Sequence, residues 1–487
     1  MNNNSQAIHL KKEILIRLVQ AFFSDNYEEN TRLIPYAMRP KGSEVPYRCC
    51  VYKERAIIKD RAIAGLGFAM EDDDETVPLS EYARRAVERQ EPEKDPLTVL
   101  EAACKGCVPS RVYVTDLCQG CIARPCQSAC KFGAISIKNG KSVIDGEKCK
   151  NCKMCISACP YNAIVKLVVP CEDACPVGAI SKDKNGRAEI DFDLCINCGK
   201  CIAACPFGAV HEKSQIIEIM KNIKAGKKVI AMVAPSIVGQ FPGTLYQLKS
   251  AMKKAGFYDV YEVAQGADVT TANEASEFLE RIEEGANFMT TSCCAGYNQF
   301  IKKHLPEIKP YVSTTGTPLY YTVDIVKERH PDAVAVFVSP CVAKRTEGRD
   351  NPKVDYVMNY EELGAYLVGR KIEILDCQPD KFEVEASKQA RNFGVTGGVA
   401  QAVCDCSGCN PEIKPYVING LNKDSIKELK KMTKEGKCEM GNLVEVMCCE
   451  GGCVRGNATI NSTRGATKVL NDFVQSSPEI ERLTEKE

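Results

Sequence analysis

The chain has 487 residues, room for two to four domains. Its 64 Lys+Arg offset 64 Asp+Glu, so no overall field favours nucleic acid or an acidic surface, and no apolar stretch is long enough to cross a bilayer. Twenty-nine cysteines follow a start (MNNNSQAIHLKKEILIRL) that is charged and amphipathic, unlike a secretory leader; this predicts metal thiolates in a reducing, oxygen-poor cytoplasm rather than disulfides, while zero Trp and four His argue against haem or a histidine-rich metal centre.

Residues 1–100 read as a helical region with no assignable role, with Ile14, Leu15, Leu18, Val19, Phe22 and Phe23 at helical spacing. Glu71–Glu75 is an acidic loop, and Cys49-Cys50 has no partner cysteines nearby in sequence, so it reads as two ordinary thiols. Residues 101–212 hold a duplication: CKFGAISIKNGKSVIDGEKCKNCKMCISACPYNAI is followed by CPVGAISKDKNGRAEIDFDLCINCGKCIAACPFGAV. Each copy predicts a two-residue hairpin turn, at Asn139-Gly140 and Asn185-Gly186. Each then carries a ladder, Cys149-x2-Cys152-x2-Cys155-x3-Cys159-Pro160 and Cys195-x2-Cys198-x2-Cys201-x3-Cys205-Pro206, the spacing that wraps [4Fe–4S] clusters. These residues divide into a ferredoxin-like dicluster domain, 101–168, and a second ferredoxin-like unit, 169–212.

In two-cluster ferredoxins the fourth cysteine of a ladder ligates the other cluster. Applied here, with the looser ladder Cys118, Cys121, Cys126, Cys130 (Lys131 stands where Pro usually follows), the rule gives one cluster on Cys118, Cys121, Cys126 and Cys159 and a second on Cys130, Cys149, Cys152 and Cys155. A third falls on Cys175, Cys195, Cys198 and Cys201. Cys171 and Cys205 are left over, and Cys104-x2-Cys107 is the unassigned pair nearby, so a fourth cluster on these four is expected; Cys104 and Cys107 alone also suit half a zinc site.

From about 225 to 475 the texture is α/β. The runs KKVIAMVAPS, NFMTTSCC, VAVFVSPC and NLVEVMCC read as buried parallel strands, each ending in an unusual motif, as when a site gathers at the carboxyl ends of strands. Residues 476–487 read as a charged, frayed tail. Cys377 and Cys438 read as structural, and Cys404, Cys406 and Cys409 have no fourth partner in view. The fold class is therefore a multidomain α+β and α/β chain: helical start, ferredoxin-like [4Fe–4S] domains, then an α/β catalytic domain with parallel sheets.

TSCCAGY (Thr291–Tyr297), SPCVAKRTE (Ser339–Glu347) and EVMCCEGGCVRG (Glu445–Gly456) resemble, in order, the three signature segments of [FeFe]-hydrogenases; VAPS (Val233–Ser236) and FGVTGGV (Phe393–Val399) resemble two more. The resemblance spans about 101–470 and points to one of the less-studied monomeric subgroups. It implies reversible reduction of protons to H2 at an H-cluster, a [4Fe–4S] cubane joined to a diiron subsite with CO, cyanide and a dithiolate. Cys294, Cys341, Cys449 and Cys453 would hold the cubane, with Cys453 bridging to the diiron subsite. Cys293 would pass protons beside it. Lys344, Ser236 and Pro235, with Glu347, Phe393 and Gly394, would shape and hydrogen-bond the pocket.

On NEASEFLERI, Glu274, Glu277 and Arg281 share one helical face. The resemblance makes them a proton relay, with Thr314 in the place of the family's Ser; a salt-bridged surface face is the plain alternative. Departures stand at Ser339 (usually Met), Tyr297 (Trp), Ala295 (Pro), Tyr320 (Gln) and Cys448 (a small residue). The implied partners are ferredoxin or flavodoxin as electron carrier and the maturation enzymes of the diiron subsite. A hydrogen sensor, or an iron–sulfur assembly or interaction protein of the same fold, is the alternative.

Overall fold

The computed structural model describes all residues except 1–5, 44–47, 105–106, 109–110, 409 and 481–487. Four helices open the chain: Gln6–Phe22, Tyr27–Met38, Val51–Gly65 and Leu79–Glu88. The first buries Ile14, Leu15, Leu18, Val19 and Phe22 along one stripe, as its spacing predicts. That stripe rests on the helix Tyr360–Gly369 of the α/β part, and Gly369 makes the approach possible, because a Cβ there would come 2.6 Å from Val19 Cγ1. Lys11 fastens the same contact through Glu361 at 2.6 Å. The strand Leu97–Val99 then pairs antiparallel with Val210–Glu212, joining the helical start to the end of the ferredoxin-like region.

In that region the strands Ile135–Lys138 and Lys141–Ile144 form the expected tight hairpin, with Asn139 and Gly140 both at positive φ (49° and 77°), as a type I′ turn demands. The second turn differs from expectation. Strands Ile180–Lys182 and Ala188–Ile190 are separated by a wider loop in which only Gly186 has positive φ. Asp183 is the cause: its carboxylate accepts from the N–H of Asn185 and of Arg187, and its own N–H donates to the Arg187 carbonyl at 2.7 Å. This local carboxylate turn widens the loop and leaves glycine to close it.

The α/β part carries two parallel sheets. One orders Asp259–Glu262, Val229–Val233, Val334–Val338 and Tyr356–Met358; the other orders Met289–Thr290, Leu443–Met447 and Pro415–Asn419. All four apolar runs are strands, split two and two between the sheets. The remaining three strands carry apolar runs of only two or three residues. The sheets and the ferredoxin-like end are tied by buried Arg345, which binds Glu212 at 2.5 Å and Glu362 at 2.8 Å. The described part of the tail is held down, since Lys388 N–H donates to the Pro478 carbonyl at 2.6 Å and Ile480 N–H to Gln389 at 3.0 Å; its last residues, 481–487, lie outside the described residues. Cys404 and Cys406 lie on the helix Gly398–Cys406, whereas Cys409 falls outside the described residues. Among the described residues no helix is long and apolar enough to cross a membrane.

Candidate catalytic centre and cluster sites

Strands from both sheets end at one cavity of about 80 Å³. Val229–Val233 delivers Pro235 and Ser236; Met289–Thr290 delivers Cys293 and Cys294; Val334–Val338 delivers Cys341; Leu443–Met447 delivers Cys448 and Cys449; all of them line its wall with Cys453, Lys344, Phe393 and Gly394. Cys453 reaches it through a turn that requires glycine. Gly451 and Gly452 have φ of 86° and 91°, and a Cβ on Gly452 would lie 2.7 Å from Thr396 N and 2.8 Å from Gly394 O. Gly394 in turn lies against Ser236, 3.2 Å from its amide nitrogen at the position of a Cβ.

Among the described residues, no three His, Cys, Asp or Glu side chains close around a point as a single metal ion requires. Cys294, Cys341, Cys449 and Cys453 instead share the wall of a wide cavity, an all-sulfur donor set that fits a polynuclear iron–sulfur group. Burial, and then the neighbouring cysteines, push the Cys341 and Cys453 thiols up to about 12 and Cys449 well above the usual thiol range. These three thiols ionise only when iron supplies the positive charge, so loading them releases protons.

Lys344 is held by Glu347 at 2.6 Å, and Glu347 also accepts from Thr317 at 2.6 Å. Burial disfavours the ammonium, but Glu347 outweighs it and raises its pKa. Glu347 itself is absent from the cavity wall, so it positions the lysine. Ser236 shares a 2.7 Å hydrogen bond with the buried Tyr360 hydroxyl. Of the two neighbours Leu319 and Tyr320, Leu319 faces the cavity, whereas Tyr320 is 47% exposed and absent from its wall.

Behind Cys293 a polar chain runs outward along the helix Val263–Glu283. Burial, followed by the charges of Glu274 and Glu445, raises the Cys293 thiol well above its ordinary range. Glu274 is fully buried and neither carboxylate oxygen has a partner within hydrogen-bond geometry. Ser313 and the Ser292 N–H lie close enough to favour its charge, but burial prevails and carries it up to about 8. Glu277 is the opposite. Burial would raise it, yet the Thr314 N–H and the hydroxyls of Ser313, Thr314 and Thr315 hold it down at about 2, and Arg281 pairs with it at 2.6 Å.

The hydroxyl between the two carboxylates is that of Ser313, which donates to Glu277 at 2.8 Å and is the side chain nearest in effect to Glu274. Thr314, the residue expected there, is exposed and touches only Glu277. Val312 bridges to Thr290 and the Ser313 N–H donates to the Thr290 carbonyl at 2.8 Å, so Ser313 rather than Thr314 turns inward, a one-residue shift that sequence spacing does not reveal. Glu445 was also missed. It is buried in the strand Leu443–Met447 and accepts from the N–H groups of Gly397 (2.7 Å) and Ala400 (2.9 Å), capping the helix Gly398–Cys406 and fixing the Phe393–Gly394 segment. A lone glutamate inside the apolar run LVEVM was the available signal.

The ladders build smaller cavities with the same groupings as the spacing rule. Cys118, Cys121, Cys126 and Cys159 line one, Cys130, Cys149, Cys152 and Cys155 another, and Cys175, Cys195, Cys198 and Cys201 a third. In three repeats the alanine four residues on donates its N–H to the cysteine: Ala134 to Cys130 (3.3 Å), Ala179 to Cys175 (3.2 Å) and Ala209 to Cys205 (3.3 Å). Cys104, Cys107, Cys171 and Cys205 also gather. Burial first, then Cys205 and Cys104, push the Cys171 thiol to about 11, and Lys182 reaches Cys104 at 3.3 Å while facing Cys107 and Cys171. Cys448 links the third set to the larger cavity: its side chain meets Cys198, and its N–H donates to Cys294 Sγ at 3.3 Å.

Residues 227–457 match the family described as the iron-only hydrogenase large subunit, C-terminal domain; residues 170–209 match a 4Fe-4S dicluster domain and 142–165 a 4Fe-4S binding domain. Residues 227–457 of this chain belong to the [FeFe]-hydrogenase family. Among curated relatives of this family, the periplasmic [Fe] hydrogenase large subunit of Nitratidesulfovibrio vulgaris is 29% identical over 305 residues, covering 50% of this chain and 72% of that one. Iron hydrogenase 1 of Clostridium pasteurianum is 27% identical, covering 50% of this chain and 52% of that one. For the NADP-reducing hydrogenase subunit HndD of Solidesulfovibrio fructosivorans the identity is 28%, and the coverage 50% of this chain and 51% of that one. The chain thus spans about half the length of two of these three relatives. Family membership carries the cofactor class with it: an H-cluster and accessory [4Fe–4S] clusters.

Proposed function

We propose that this chain catalyses the reversible reaction of two protons and two electrons with H2. The observation that carries the reading is the meeting of Cys294, Cys341, Cys449 and Cys453 with Cys293 and Lys344 on one buried cavity, backed by a carboxylate chain. Cys294, Cys341, Cys449 and Cys453 would hold the cubane of the H-cluster, with Cys453 also contacting the diiron subsite. When bound, the group supplies the redox chemistry and the binding of hydrogen.

The protein holds and moves protons. Cys293 keeps its proton at Sγ facing the cavity, because burial and nearby carboxylates disfavour the thiolate. Glu274, poised at about 8, stands ready to give or take a proton near neutral pH. Ser313 relays between it and Glu277, which the Thr314 N–H and the neighbouring hydroxyls keep ionised and Arg281 pairs at the half-buried end of the path. Lys344, three donors on a fixed stem, suits an anionic diatomic ligand, and Pro235, Ser236, Phe393 and Gly394 close the pocket around it.

The four ladder sets carry [4Fe–4S] clusters, the set on Cys104, Cys107, Cys171 and Cys205 included. Electrons come from, or go to, ferredoxin or flavodoxin, and dedicated maturation enzymes load the diiron subsite. Cytoplasmic residence, favoured by the thiol count, belongs to the same proposal; the Nitratidesulfovibrio relative is described as periplasmic, and fractionation of source cells decides the point. The central test is anaerobic maturation followed by infrared spectroscopy and a hydrogen assay. CO and cyanide bands with hydrogen turnover are expected; bands absent from protein that carries a full complement of iron would overturn the reading.

A further inference from the structure

The two ferredoxin-like units present the same edge to different surroundings. In the inner unit, the edge around Cys198 docks on the α/β part. Ile196 is 1% exposed and, with Val177, packs into the cluster of Tyr297 and Phe300. Gly199 (φ 72°) lies against Asn457, with 2.6 Å left for a Cβ, and Lys200 binds the Leu421 carbonyl.

In the outer unit the matching positions are bare. Phe132, in the place of Val177, is 46% exposed, and Met154, in the place of Lys200, is 51% exposed. Lysines replace the other three: Lys131 for Pro176, Lys150 for Ile196 and Lys153 for Gly199, all exposed and none in an ion pair among the described residues. Lys153 keeps the left-handed backbone of its glycine counterpart at φ 67°, a strained choice for a lysine. Between them lies Cys152, which, among the described residues, is the one exposed cysteine of the ladders.

We propose that this edge is the docking surface for a small acidic electron-carrier protein. The inner edge shows that the geometry suits protein contact beside a cluster. Apolar Phe132 and Met154 offer the buried centre of such a contact, and the three lysines form a basic rim that repels a second copy of the same edge and attracts an acidic partner. Transient redox contacts are small, which two apolar side chains ringed by three lysines can supply. The proposal rests on the hydrogenase reading. Each visit moves one electron: the carrier is oxidised, the cluster held by Cys130, Cys149, Cys152 and Cys155 is reduced, and two visits with two protons yield one H2.

The test compares matured protein with the double variant Lys150→Glu/Lys153→Glu, using an acidic 2[4Fe–4S] ferredoxin and, as reference, methyl viologen. The ratio of ferredoxin-linked to viologen-linked kcat/KM should fall about tenfold at low salt, and the wild-type ratio should decline with ionic strength. Lys153→Gly, which restores the inner unit's residue and relieves the backbone, separates charge from folding and should give a smaller fall in the same direction. Iron content is measured for each variant. A ratio unchanged by the double reversal, or lysine-dependent binding of anionic vesicles or duplex DNA in place of ferredoxin, overturns the proposal. Absence of viologen-linked turnover in the wild type would instead sink the hydrogenase reading, while salt-dependent ferredoxin affinity would still test the surface.

Discussion

The ferredoxin-like units and the α/β part both gather cysteines, but by different means. In three of the sets in the units, three cysteines lie within a few residues and the fourth arrives from farther along the chain. In the α/β part Cys294, Cys341 and Cys449 stand at the ends of three strands in two sheets, and Cys453 needs a two-glycine turn. A local ladder can therefore form its site whatever lies beside it. The convergent site exists only once both sheets are packed. Exposure follows the same division: Cys152 reaches solvent, whereas burial and neighbouring sulfurs raise the Cys341 and Cys453 thiols of the large cavity.

The contrast is broken most severely at a convergent ligand. Cys341→Ala should abolish hydrogen turnover and the CO and cyanide bands, while the electron paramagnetic signals of the reduced accessory clusters persist. Cys104→Ala should do the reverse, removing about 4 irons per chain by chemical assay and leaving the infrared bands in place. Iron unchanged by Cys104→Ala would return Cys104 and Cys107 to ordinary thiols.

The proton chain comes next. Glu274→Gln should slow turnover by on the order of 10²-fold with unaltered infrared bands, since the amide cannot pass a proton. Ser313→Ala should cost about tenfold, the scale of one lost hydrogen bond, and Thr314→Val distinctly less. A larger loss at Thr314 than at Ser313 would reverse the assignment made from the geometry.

The smallest effect concerns stability. Glu274 titrates at about 8 in the fold against an ordinary value of 4.5. Between those values the folded state holds a proton that the unfolded chain has lost, so stability falls as pH rises through this window. Glu274→Gln should flatten that decline, which melting curves from pH 5 to pH 9 would reveal; an equal slope in both proteins would mean that Glu274 is already ionised in the fold.

Much of the site was legible because its parts are short motifs. The TSCC, SPC and CCEGGC segments name thiols that the structure brings to one cavity, and the ladder spacing matches the cysteines that line the three smaller ones. The failures share a cause, which is direction. Ser313 against Thr314, and Leu319 against Tyr320, are adjacent residues whose difference is which way the side chain points. The wider second hairpin turned on Asp183, whose carboxylate competes for backbone N–H groups. Glu445 lay hidden in an apolar strand because its partners, Gly397 and Ala400, are more than forty residues away in sequence.

By itself the sequence determined the ligand chemistry: thiolates in ladders, thiolates at strand ends, and carboxylates repeating along one helical face. Only the tertiary structure decided which hydroxyl joins the carboxylates, that Glu347 stands behind Lys344, and that one ferredoxin-like edge is covered while its twin is bare. Spacing along a chain fixes what neighbours in sequence can do together. Burial, charge and the direction of a side chain depend on what the rest of the fold places against it.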